Sequence, residues 1–154
     1  LAITTPDGLI AFLFGPIEGR RHDAFLLHLS QLVQKLRSLQ TVGYVYSVFG
    51  DVRFPLNDVI YTSFRESELL YHPQYEAFNR AHKAVRIAVE WGFGLVTTTY
   101  PQLDRKKTQR LLLSPLTHIW KSAALLRNAK SCLYGNIAST YFNCMPPLLE
   151  DYFV

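Results

Sequence analysis

A change of periodicity constrains this chain most. From Asp23 onward, apolar residues fall at Phe25, Leu26, Leu29, Leu32, Val33, Leu36 and Leu39, the single stripe of an amphipathic helix. On either side the pattern is that of strands. Leu1–Thr4 and Leu9–Phe14 are β-rich runs joined by Pro6-Asp7-Gly8, where proline presets φ and glycine accepts a positive one, so a hairpin is predicted. Gly43 suits the helix stop, and Tyr44-Val45-Tyr46-Ser47-Val48-Phe49 reads as a buried strand. Strand, helix and strand at this spacing form a crossover unit with parallel pairing, which selects the α/β class.

The rest of the chain is read more coarsely. Beyond Pro55 a mixed stretch runs to Pro73, with a short helix or turn expected at Asn57–Ile60 and then a loop closing over the site. A helix follows over Ala77–Trp91, with a kink expected at Gly92-Phe93-Gly94. Further helices are predicted at Arg105–Leu113 and Pro115–Ser131, where Ser114 and Pro115 make a good cap and first position. With 154 residues and 49% hydrophobic content, the chain fills one core, and one domain over 1–154 is expected. No stretch has the length of a membrane span and no leader pattern opens the chain, so no membrane partner is expected. Cys132 and Cys144 lack zinc-ligand spacing and read as two buried, reduced thiols.

Two acids carry the chemical signal. Asp51 follows the Tyr44–Phe49 run across Gly50, and Glu90 lies within a helical pattern. A carboxylate at a strand end and another on a later helix together offer the oxygen ligands that hard divalent cations take. The plainer reading keeps Asp51 as a turn residue and Glu90 as the i,i+4 partner of Arg86. Charge is lopsided within a net +4: residues 101–130 hold Arg105, Lys106, Lys107, Arg110, Lys121, Arg127 and Lys130 against Asp104, whereas 131–154 have two acids and no Lys or Arg. That basic segment suits a polyanion, and equally suits the solvated faces of amphipathic helices.

The wording around these residues resembles the DDE superfamily endonucleases, in particular the Harbinger-type transposases and their domesticated relatives. The resemblance rests on Pro6–Ile10, Gly15–Asp23, Gly50-Asp51-Val52-Arg53-Phe54-Pro55-Leu56, Val85–Gly94, Cys132–Asn136 and Met145–Tyr152, which occur in the family's order over nearly the whole chain. It implies an RNase H-like mixed sheet flanked by helices, with carboxyl-terminal helices and the first strand absent. Asp51 and Glu90 would be the second and third catalytic acids, holding Mg²⁺ or Mn²⁺, and the first acid would lie upstream of Leu1. The expectation is therefore a DNA endonuclease or transposase domain that is incomplete, and inactive, as given. Asp23 caps the first helix or stands behind the metals, with His22 and Arg86 as further auxiliary residues. Arg20, Arg21, Lys83, Arg105, Lys106, Lys107 and Arg110 are candidate DNA contacts.

This sequence departs from the family at Arg53 and Phe54, where a small residue and Tyr are usual. It departs again at Thr97, where related transposases carry a basic residue. DNA is the implied partner, with a separate DNA-binding protein as a further candidate and the nucleus as the implied location. A domesticated module without catalysis, and a plain basic α/β domain, stay open as alternatives.

Overall fold

The computed structural model describes residues 1–15, 22–103 and 115–154. The Arg105–Leu113 helix prediction, and the candidate DNA contacts Arg20, Arg21, Arg105, Lys106, Lys107 and Arg110, lie outside them. The protein is mixed α/β; the described residues form two two-stranded sheets and helices that fall into two compact units. One unit is built of Leu1–Glu18 with Ala88–Val154, the other of Gly19–Ile87.

In the first unit, β1 (Ala2–Thr4) and β2 (Ile10–Leu13) form the expected antiparallel hairpin. Gly8 adopts φ +78°, and its N–H donates to the Thr5 carbonyl at 2.8 Å. The Asp7 carboxylate accepts the Leu9 N–H at 3.1 Å, so the turn is closed by its own side chain. The long helix α5 (Leu116–Tyr134) buries Leu116, Ala123, Ala124, Asn128 and Ser131 along one stripe. Val96, Leu103 and Ala123 centre the core there, with Ile10, Tyr100, Ile119 and Trp120 packed around them.

Two short helices follow, α6 (Ile137–Tyr141) and α7 (Leu149–Tyr152). Asn136 caps α6 by accepting the Ser139 N–H at 2.9 Å, and the same carboxamide donates to the Asp7 carbonyl at 2.8 Å. One side chain thus ties the hairpin turn to a helix start 129 residues away in sequence. A Cβ at Gly8 would land on that carboxamide, which adds a packing reason to the conformational one for glycine. Cys132 and Cys144 are free thiols. Cys144 is exposed rather than buried, while burial, with the nearby Asp7 charge, pushes the half-buried Cys132 thiol up.

In the second unit the helix expected over Asp23–Leu39 is two helices, α1 (Asp23–Ser30) and α2 (Leu32–Ser38). The break has a local cause. Ser30 donates its hydroxyl to the Leu27 carbonyl at 2.8 Å and accepts the Leu32 N–H at 3.3 Å, and Gln31 turns left-handed at φ +54°. Leu32 and Leu36 from the predicted stripe are buried, together with Leu27, which lies outside it; Phe25, Leu29 and Leu39 are exposed.

The predicted buried strand Tyr44–Phe49 shrinks to β3 (Val48–Phe49), and Tyr44, Val45 and Tyr46 are exposed. The Gln40 carboxamide accepts the Tyr46 N–H at 2.9 Å and donates to its carbonyl at 2.7 Å. A side chain so takes the place of a neighbouring strand. The partner of β3 is β4 (Ile60–Tyr61), parallel, in the stretch expected to hold a short helix or turn and a loop. Asn57 starts β4, its Oδ1 accepting from the Val59 and Ile60 N–H groups at 3.0 and 2.9 Å. A short helix, α3 (Glu66–Leu69), follows.

Helix α4 (Tyr75–Thr99) extends eight residues past the Trp91 expected to end it, and the glycine pair does not interrupt it. No helix among the described residues is long and apolar enough to cross a membrane.

Candidate functional site

Asp51 sits one residue past the glycine that ends β3. Gly50 donates its N–H to the Tyr61 carbonyl at 2.8 Å, extending the parallel ladder by one bond. A Cβ at Gly50 would crowd Ile60 Cγ2 at 3.1 Å and Phe54 Cδ2 at 3.3 Å, so the close approach favours glycine. The Asp51 carbonyl then accepts the Phe54 N–H at 2.9 Å, which makes Asp51 the first residue of a turn, as the plainer reading held. Its carboxylate leaves that turn at 41% exposure and meets Arg86 Nη2 at 3.5 Å. Half-open and long, this pair is worth no more than about 1 kcal/mol, so its role is orientation rather than stability.

What brings Arg86 to Asp51 is a polar row along α4. Asn79, His82 and Arg86 recur at i, i+3 and i+7, one face of a helix. Asn79 accepts the Phe64 N–H at 2.8 Å and donates to the Phe64 carbonyl at 2.9 Å, pinning the chain beyond β4 to the helix. Buried His82 donates Nε2 to the Tyr61 carbonyl at 3.3 Å, and its ring meets Phe49 edge-on with centroids 5.5 Å apart. Phe64 stacks on Tyr75 at 3.9 Å and meets Phe78 at 5.3 Å, which holds the first turns of the helix. Asn79 and His82 are absent from the sequence-level candidates, though polar residues at helical spacing just ahead of Arg86 are a signal that could have found them.

Glu90 lies one turn beyond Arg86 on α4, on the continuation of that row, and is exposed. Lys83 is exposed on the same helix. Thr97 spends its hydroxyl within the helix, on the Phe93 and Gly94 carbonyls at 3.2 and 3.1 Å. The substituted position therefore offers no free donor to a phosphate. Asp23 does not cap α1 through its side chain: His22 is the N-cap residue, and Asp23 is the first helical residue, where its charge suits the helix amino terminus. The His22 carbonyl accepts from the Phe25 and Leu26 N–H groups at 2.9 and 3.2 Å, while its ring is exposed.

Carboxylate oxygens of this kind fit a hard divalent ion, which keeps most of its ligands as water. Among the described residues no group of three His, Cys, Asp or Glu side chains gathers to hold a metal.

The class of protein follows from comparison of the whole chain with family models. A model described as DDE superfamily endonuclease matches residues 1–128, and the chain belongs to that family. The match takes in Asp51, Arg86 and Glu90 and ends at Asn128, so the Cys132–Asn136 and Met145–Tyr152 blocks fall beyond it. The family implies divalent metal and a DNA substrate. Searches of curated proteins and of solved structures returned no match.

Proposed function

We propose that this chain, read as one RNase H-like domain over residues 1–154, is a transposase catalytic domain of the Harbinger type that cleaves or joins DNA phosphodiesters in the nucleus. Asp51 and Glu90 are its two metal-holding acids. The observation that carries the reading is the Asp51–Arg86 pair, together with the family match that spans Glu90. A divalent ion, Mg²⁺ or Mn²⁺, when bound, supplies Lewis-acid polarisation of the phosphodiester and of the attacking oxygen.

The chain's own residues do the positioning. Arg86 fixes the Asp51 carboxylate from one side. The Asn79–His82 row pins the part of the helix that carries Arg86 to the chain around β4, so Arg86 meets Asp51 from a packed element. Asp23 and His22 stand as auxiliary groups at the head of α1. Lys83, with Arg20, Arg21, Arg105, Lys106, Lys107 and Arg110, supplies backbone contacts to DNA, with a separate DNA-binding protein as the further partner.

A calorimetric Mn²⁺ titration tests the site directly. Wild-type protein is expected to bind weakly, and Asp51→Asn and Glu90→Gln are each expected to abolish the same binding event. Arg86→Gln should change its affinity without abolishing it. Mn²⁺ binding that survives both acid substitutions overturns the assignment. The alternative, a domesticated module that keeps the fold without catalysis, would keep DNA binding and show no metal site.

A further inference from the structure

Helix α5 is apolar on two sides. Its buried stripe faces the core of its own unit, and at about 100° per residue the opposite side carries Ser122, Leu125, Leu126, Ala129 and Leu133. The three leucines are 47%, 55% and 57% exposed. A helix at a protein surface turns polar residues outward, and one that is apolar all round is covered on both sides. Solvation thus accounts for Lys121 and Lys130, exposed at the two borders of the outer stripe, and not for the leucines between them.

Charge says what kind of surface would cover them. From Leu116 to Leu149 the chain has no Asp or Glu, and the next charged residues after Lys130 are Glu150 and Asp151. Both acids are exposed on α7, between the exposed Leu148 and Phe153. Leu149 and Tyr152, on the other side of α7, are half-buried, and the Tyr152 hydroxyl accepts from Asn128 on the buried stripe of α5. Helix α7 therefore lies towards that side of α5 and leaves the outer side to another molecule. One compact unit thus presents two neighbouring strips, one apolar and bordered by cations, the other apolar and bearing anions.

We propose that α5 and α7 together form a self-complementary surface on which a second copy of this chain docks, the outer face of α5 in each copy against the exposed side of α7 in the other. A twofold axis lets two different strips of one unit pair at once, since residue i meets j while j meets i. The leucines, with Leu148 and Phe153, supply the apolar area, and the lysine–carboxylate pairs fix which strip meets which. Pairing α5 with α5 would instead bring four lysines to one seam with no acid on either helix. Neither Asp51 nor Glu90 takes part, so this surface and the metal reading stand or fall separately.

Sedimentation velocity of the full chain over a concentration series is expected to show a reversible monomer–dimer equilibrium that weakens with added salt, because the border charges are screened. Leu126→Asp should weaken it roughly tenfold or more, as for a residue central to an interface. The charge-reversed double variants, Lys121→Glu with Lys130→Glu and Glu150→Lys with Asp151→Lys, should each weaken self-association to a similar degree. Mixed together, they should form a heterodimer, since each reversed strip then meets its opposite, and all four changes in one chain should restore the homodimer. A wild-type chain that stays monomeric up to its highest soluble concentration overturns the proposal, whatever the variants do. So does a dimer that none of these substitutions weakens, which places the interface elsewhere. A mixture of the two reversed variants that stays monomeric, each folded as the wild type by circular dichroism, also overturns it and leaves the α5 face to an acidic helix of another protein.

Discussion

Asn128 holds more of this structure than its sequence neighbourhood suggests. Buried on α5, it accepts the Ile10 N–H at 2.9 Å and donates to the Ile10 carbonyl at 3.0 Å, as a neighbouring strand would; it also donates to the Tyr152 hydroxyl at 2.9 Å. Asn128→Ala leaves both backbone groups of a β2 residue without partners. It is expected to cost about 2 kcal/mol or more in urea denaturation, since each orphaned group shielded from water costs about 1–3 kcal/mol. A decrease under about 0.5 kcal/mol, the size of an ordinary surface change, would mean that water replaces the amide at once.

At the surface the consequence is one of titration. Arg37 donates to Asp58 from Nε at 2.9 Å and from Nη2 at 2.6 Å, and this bidentate contact holds the Asp58 carboxyl below its ordinary value. With the folded pKa depressed, the pair's contribution is present above the unfolded carboxylate pKa and fades as pH falls through the folded one. ¹³C titration should show Asp58 ionising below 3.8, and Arg37→Gln should bring it back up. An Asp58 midpoint unmoved by that substitution would show that the pair does not persist in solution.

Among the elements, α4 is where local propensity and outcome differ most. Gly92 and Gly94 mark a kink by propensity, yet the helix runs through them to Thr99. Val96 is fully buried in the core of its unit, and packing of that turn outweighs a glycine cost of about 1 kcal/mol per residue. The two glycines are not equivalent. A Cβ at Gly94 meets nothing within 4 Å, whereas at Gly92 it would sit 3.0 Å from Thr4 Cγ2. Gly94→Ala should therefore stabilise by about 0.5–1 kcal/mol, while Gly92→Ala gains less or destabilises, as thermal melts of the two variants will show. Equal gains would mean that the Thr4 side chain yields freely.

The other element-scale differences have equally local causes. The break between α1 and α2 comes from Ser30, and the absence of strand at Tyr44–Tyr46 from Gln40; in both a side chain competes with the backbone for its own hydrogen bonds. Periodicity registers apolar positions and is blind to such competition. The hairpin was legible because turn chemistry acts within a few residues, whereas α5 takes Pro115 as its N-cap residue, with no side-chain cap, in place of the expected Ser114.

For the whole molecule, DNA binding separates electrostatics from chemistry. If Arg105, Lys106 and Lys107 meet backbone phosphates, neutralising all three should lower the log–log salt dependence of duplex binding by roughly 0.9 for each phosphate no longer neutralised. Asp51→Asn should leave that slope unchanged. Titrations at several salt concentrations check this, and an unchanged slope in the triple variant would move the DNA surface to Arg20, Arg21 and Lys83.

By itself the sequence determined the family, the mixed α/β class and the hairpin turn, because these depend on residue order and on interactions a few positions apart. Only the tertiary structure decided what faces what. It set Arg86 against Asp51. It placed Asn79 and His82 along the same helix row, used Asn128 and Asn136 as braces, and buried Arg127 with no acceptor for its Nε among the described residues. Those arrangements join residues far apart in the chain through single side-chain atoms. Composition and periodicity do not encode them; the packing of helices against short strands does.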